Sequence, residues 1–138
     1  MILAVGQEKL GMVNEAVIKS MGAFGGGIAG SGNVCGILSG GVALISSIYS
    51  RGNLEEIEDP RMWRLSYKLF KIFENLTESF GSINCRDIAR VNWSDKEATR
   101  DFYKNPESSH KLCTELVGDF AFALGELLDK DAETLPPK

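Results

Sequence analysis

The chain has 138 residues, 43% of them hydrophobic and 25% charged, which is one domain's worth of ordinary globular composition and excludes wholesale disorder, collagen and fibrous coiled coil. Its 15 basic and 19 acidic residues leave a net charge of −4 with no basic block, which speaks against nucleic acid or anionic membrane surfaces as partners. The single histidine, His110, excludes a histidine-rich metal site or a two-histidine zinc motif within the chain.

The first segment, Ile2 to Met21, reads as one helix, with Leu3, Leu10, Val13, Val17 and Met21 at helical intervals. A glycine-rich run, Gly25 to Gly32, ends it and makes a loop. Asn33 offers an N-cap for a second helix, Val34 to Ser50, which is apolar and small on every side and therefore central and buried. Gly36, Gly40 and Ser47 form a small-residue stripe on it that admits a neighbouring backbone. No residue from Ser20 to Ser50 is charged. The glycines nevertheless break the segment, and Val34 to Tyr49 falls short of the roughly 20 residues a membrane span needs.

A polar connection from Arg51 to Glu58 leads to Asp59-Pro60, a helix start with proline in the first turn. The third helix is expected over Pro60 to Phe80. Leu65, Leu69, Ile72, Phe73, Leu76 and Phe80 mark its apolar face, Trp63 and Phe70 widen it, and Gly81 stops it. Asn84 to Val91 reads as a short helix. Ser94 and Glu97 form a capping box that opens another through Tyr103, and Asn105-Pro106 ends that one. Ser108 or Ser109 caps a last helix to Leu128, with Leu112, Leu116, Phe120, Ala123, Leu124 and Leu127 on its inner face. The expectation is a single all-α domain over residues 1–138. It is a bundle of four main helices plus short ones, with a central small-residue helix and a frayed tail over 129–138.

The cysteines carry the chemistry. Cys35, Cys85 and Cys113 are free of any CxxC spacing, three cannot all pair within one chain, and no secretory leader is evident, so the expected compartment is a reducing cytoplasm. Each falls at the start of an expected helix. There, free N–H groups and the helix dipole favour a thiolate and lower its pKa. If the three starts converge, they line a pocket beside the glycine loop. Three unrelated buried cysteines are the alternative reading. His110, three residues before Cys113, is either a fellow metal ligand or an exposed helix-start residue. The glycine loop lacks the lysine and Ser/Thr of a phosphate-binding motif and has no preceding strand, so close backbone approach around Cys35 is its expected role.

The stretch Gly22 to Tyr49, with Phe24, Gly25, Gly26 and Gly27 followed by Cys35, Gly36 and Gly40 and by the later Cys85 and Cys113, resembles a family of small bacterial and archaeal proteins. That family is named for its C-GCAxxG-C-C pattern and described as redox-active. The resemblance spans almost the whole chain. Two departures accompany it. Ile37 stands where the family has alanine, and the family's first cysteine, on the first helix, has no counterpart. Met1 to Ala4 fall about where residues following that cysteine would lie. This suggests either a start further upstream or a three-cysteine variant.

The family's likeness to the non-haem part of split-Soret-type cytochromes implies an iron–sulfur or other metal site. Haem is not implied, because CxxCH is absent. Three readings follow for the protein. In the first, thiolates of Cys35, Cys85 and Cys113, with His110 as a further candidate ligand, hold an iron–sulfur cluster or another thiophilic metal. In the second, metal-free thiol–disulfide chemistry uses Cys35 as attacking thiol and Cys85 or Cys113 as its partner. In the third, the protein is a non-enzymatic helical binding module. Gly25, Gly26, Gly27 and Gly36 are the expected cofactor-contacting backbone. An oxidoreductase and an electron-transfer protein are both open, an unidentified redox partner is implied, and a homodimer is the weaker expectation.

Overall fold

A computed structural model describes residues 1–134. Among these residues the chain is all-α, with helices α1 (Ile2–Lys9), α2 (Glu15–Ser20), α3 (Gly36–Tyr49), α4 (Arg61–Leu76), α5 (Cys85–Ala89), α6 (Lys96–Lys104) and α7 (His110–Glu133). Among the described residues no helix is long and apolar enough to cross a membrane.

The expected first helix is two. Gly11 takes a left-handed φ of 66°, and Asn14 then starts α2, its side chain accepting from the N–H groups of Ala16 and Val17. The break is secured by Gln7, fully buried, whose Oε1 accepts from the Asn14 N–H at 2.9 Å. Leu10 and Val13, expected on the inner face, are exposed in consequence.

Further on, α3 begins at Gly36 with Cys35 as its N-cap, not after an Asn33 cap. Its register puts Leu38, Leu44 and Ile45 in the core, and it packs against α1, α4 and α7. Leu65, Leu69 and Phe73 of α4 and Leu116, Phe120 and Leu124 of α7 complete that core, with Phe73 and Phe120 edge to face at 5.2 Å. Trp63 does not widen the face of α4. It is exposed and donates its indole N–H to Glu58 instead.

The small-residue reading of α3 is correct in kind and incomplete in detail. Gly40 lies against Ile2 and the Leu3 backbone of α1, as expected for close approach. Gly41, outside the expected stripe, is the tighter position, because a Cβ there would stand 2.7 Å from the Phe120 ring and 2.9 Å from Leu69.

Helix ends differ from expectation where a better oxygen is available. The α6 N-cap is Asp95, which accepts from Glu97 and Ala98 N–H, so the Ser94–Glu97 capping box does not form. Asn84 precedes α5 but caps nothing through its side chain. Asp87 instead bonds the Ser82 hydroxyl. α4 ends at Leu76, followed by a 3-10 turn over Glu78–Phe80, and Gly81 closes it at a left-handed φ of 80°. α7 continues past Leu128 to Glu133. Its Asp131 is buried and accepts from Arg64 at 2.6 Å, with Arg61 at 3.9 Å and the Tyr49 hydroxyl at 3.5 Å. That contact fastens the end of α7 to the start of α4 and the end of α3. Residues 135–138 of the expected frayed tail lie outside the described residues.

The Gly41 geometry predicts that Gly41→Ala destabilises the fold by about 1–3 kcal/mol through overpacking, despite alanine's better helix propensity. A urea midpoint unchanged or raised in this variant contradicts the packing described.

Candidate functional site

The site begins with the glycine loop. Gly26, Gly27, Ile28, Ala29 and Gly30 all have positive φ, between 53° and 74°, so the chain makes a left-handed turn. Every N–H from Ile28 to Asn33 donates to a carbonyl between Ala23 and Ile28. Those donors are spent inside the loop, which removes a phosphate-cradle role for them. Gly27 has no alternative, because a Cβ would lie 2.5 Å from the Asn33 backbone. Gly36 has none either, its Cβ position being 2.8 Å from the Phe24 carbonyl oxygen. The loop is thereby pressed onto the start of α3, the role expected for it.

An isolated antiparallel bridge then joins Val34 to Asn84. The Cys35 N–H donates to the Ile83 carbonyl at 3.0 Å, and the Cys85 N–H to the Asn33 carbonyl at 2.7 Å. Residues one place either side of a bridge pair share the opposite face from it, so Cys35 and Cys85 face the same way from diagonal corners. α3 and α5 start there, side by side. The Ser109 hydroxyl donates to the Ala89 carbonyl at the end of α5, and the Ser108 hydroxyl to Phe102 of α6 at 2.6 Å. These two bonds set the start of α7 and bring Cys113, in its first turn, to the same place.

Cys35, Cys85 and Cys113 line one cavity of about 540 Å³, together with His110, Gly25, Gly26 and Gly36. Gly27 does not line it. The start of α1 forms part of the rim, and Trp93, Phe102 and Tyr103 make an aromatic wall. In that wall the Trp93 and Phe102 rings meet edge to face at 5.1 Å, and His110 packs against Phe102 at 5.0 Å. His110 itself is exposed. Trp93 was not singled out by its sequence position, but it lies on both the cavity and the glycine loop, close to the Cβ positions of Gly26 and Gly30.

The expected convergence of three helix starts is therefore present, but its expected electrostatic result is not. All three cysteines are free thiols whose pKa values lie above, not below, the ordinary value. Burial pushes Cys35 up, and the backbone N–H groups of Ile37 and Leu38 at the start of α3 offset it only in part. Burial likewise raises Cys85. The Trp93 indole on its side opposes this, although its buried N–H reaches hydrogen-bonding geometry with no partner. Cys113 is pushed up to about 11 by burial, reinforced by Cys35 and Cys85. Among the described residues, the His110 imidazole, the Tyr103 phenol and these thiols are the ionisable side chains that line the cavity, and at all three cysteines burial outweighs what opposes it.

The donor chemistry of three cysteines suits iron or zinc, but the arrangement does not provide a ready site. Among the described residues no group of three or more His, Cys, Asp or Glu side chains is placed to hold a metal ion.

An uncharacterized protein of Archaeoglobus fulgidus is 35% identical over 81 residues, 55% of this chain and 53% of its own length. The chain thus spans about half the length of that curated relative. No solved structure matches. Residues 1–127 match the family described as "putative redox-active protein (C_GCAxxG_C_C)", and the chain belongs to that family.

Proposed function

We propose that the protein is a thiol-based redox protein whose working groups are Cys35, Cys85 and Cys113, acting inside the aromatic-walled cavity. The observation that carries this reading is the meeting of three thiols from three separate helix starts on one cavity. Family membership supports redox function in general.

In the proposed chemistry, a thiolate attacks a disulfide substrate RSSR and releases one RSH. A second protein thiol then resolves the mixed disulfide and releases the other. The protein gives up two electrons as its disulfide forms, and its two thiol protons end on the two RSH molecules. Cys35 is the attacking group, because the Ile37 and Leu38 N–H groups at the start of α3 favour its thiolate, and no helix-start N–H does so for Cys85 or Cys113. Cys85 or Cys113 is the resolving group, since both line the same cavity as Cys35.

A second reading is coordination of a thiophilic metal or iron–sulfur cluster by the same three cysteines. It is favoured by their mutual repulsion as thiolates, which a cation would relieve. The absence of a preformed metal-holding group ranks it second.

Thiol counting under denaturing conditions tests the leading reading. After oxidation by a small disulfide, the three thiols of the wild-type chain are expected to fall to one, and Cys35→Ser is expected to keep both of its thiols. Three thiols in the oxidised wild type overturn the reading. Iron, zinc and acid-labile sulfide in stoichiometric amount after anaerobic preparation would replace it with the second.

The raised thiols also set a pH dependence. A group whose folded pKa exceeds its unfolded value contributes stability that is complete below the unfolded pKa, about 9 here, and lost as pH rises toward about 11. The alkylation rate of Cys113 should therefore climb roughly tenfold per pH unit beyond pH 9, where an ordinary thiol levels off. The urea midpoint should fall over the same window, and fall less in Cys113→Ala. A plateau in alkylation near pH 9 would contradict the burial described.

A further inference from the structure

A second cleft, of about 440 Å³, adjoins the thiol cavity. Its lining includes Gly30 and Gly32 of the glycine loop, Arg86 and Arg90 of the α5 segment, Asn92 and Trp93. Trp93 is the wall shared with the thiol cavity. We propose that this cleft is an oxyanion subsite, in which Arg90, assisted by Arg86, holds the carboxylate or phosphate of a small sulfur-containing substrate whose sulfur reaches the cysteines past Trp93. The proposal rests on the thiol-redox reading only for what the substrate's other end does.

Three observations point to an anion. First, the chain is acidic overall, yet no carboxylate lines this cleft and neither arginine makes an ion pair among the described residues. The Arg61 and Arg64 guanidinium groups, by contrast, are engaged by Asp59 and Asp131. Second, Arg86 is held in place. Its Nε donates to the Gly32 carbonyl at 3.1 Å and one terminal nitrogen to Asn33 Oδ1 at 2.6 Å, which leaves its remaining donors for a ligand. A fixed guanidinium fork matches a planar oxyanion with little ordering cost.

Third, Arg90 sits at a left-handed φ of 56°, as the C-cap of α5. Glycine is the residue that such a position favours. The sequence instead holds an arginine there whose guanidinium has no hydrogen-bond or ion-pair partner within the described residues. A backbone conformation that disfavours side chains is held here by an exposed, charged residue that lines an open cleft, which fits strain kept for a binding role. The glycine loop contributes shape rather than donors, since its N–H groups are used internally.

Trp93 provides the readout. The chain has two tryptophans, and Trp63→Phe leaves Trp93 as the only reporter. In that background, combined with Cys35→Ser so that neither disulfide oxidises the thiols, the emission of Trp93 is titrated at fixed ionic strength with dithiodiglycolate, with inorganic phosphate, and with cystamine as the cationic disulfide control. Saturable change with either anion and none with cystamine is the expected result, and the anion that saturates names the oxyanion. Arg90→Gly should weaken that binding by about tenfold or more. Because glycine relieves the left-handed position, the fold should be at least as stable, so loss of binding is not loss of structure. No saturable change with either anion, equal binding of cystamine, or unchanged affinity in Arg90→Gly overturns the subsite. Binding of anions by a protein whose thiols never oxidise would retain the subsite and remove the thiol reading. Oxidation without anion binding would do the reverse.

Discussion

Two backbone hydrogen bonds, from Cys35 N–H to Ile83 and from Cys85 N–H to Asn33, hold the site together. They pair two short extended segments that are distant in sequence, and a helix departs from each. The glycine loop exists to deliver the first segment to this pairing. Its left-handed turn brings the chain round in few residues, and it spends its own N–H groups doing so. Arg86 then closes the arrangement from the other side, through its bonds to Gly32 and Asn33. Strain at Ile28 and Ala29, which are not glycine yet have positive φ, is tolerated because the surrounding hydrogen bonds leave the turn no alternative.

The same closeness decides the chemistry. A helix start lowers a thiol's pKa when water and donors surround it, and burial raises it. Here burial wins at all three cysteines, because the cavity wall is aromatic and aliphatic. In the proposed thiol chemistry, reaction would then depend on what enters the cavity, and the cleft on the far side of Trp93 would bear on selectivity. At the opposite end of the bundle, Asp131 with Arg61, Arg64 and Tyr49 anchors the long α7 helix without contributing to the site.

Much of this was legible in order and identity. The apolar runs of α3, α4 and α7 and the placement of each cysteine near a helix start follow from local periodicity and capping preference, whereas α4 stops at Leu76 and Gly81 closes only the 3-10 turn after it. The cap positions themselves were less legible, since Ser94 and Asp95 are adjacent and either could serve. The carboxylate of Asp95 took the role. The break after α1 left a readable trace in Gly11 and Asn14, but periodic Leu10 and Val13 masked it. Only the buried Gln7, bonded to the Asn14 backbone, settled it. Trp93 and Arg90 carried no periodic signal, and their place on the two cavities comes from what stands across from them.

By itself, then, the sequence determined an all-α chain and the buried character of α3, because each depends on residues near one another along the chain, and the family, because its motif is a matter of order and spacing. The tertiary structure alone decided that the three cysteines share one cavity, since the Val34–Asn84 pairing joins segments fifty residues apart. It also decided the direction in which their pKa values move. A thiol's charge state is set by everything packed around it, and that packing is assembled from helices that know nothing of one another until the chain closes.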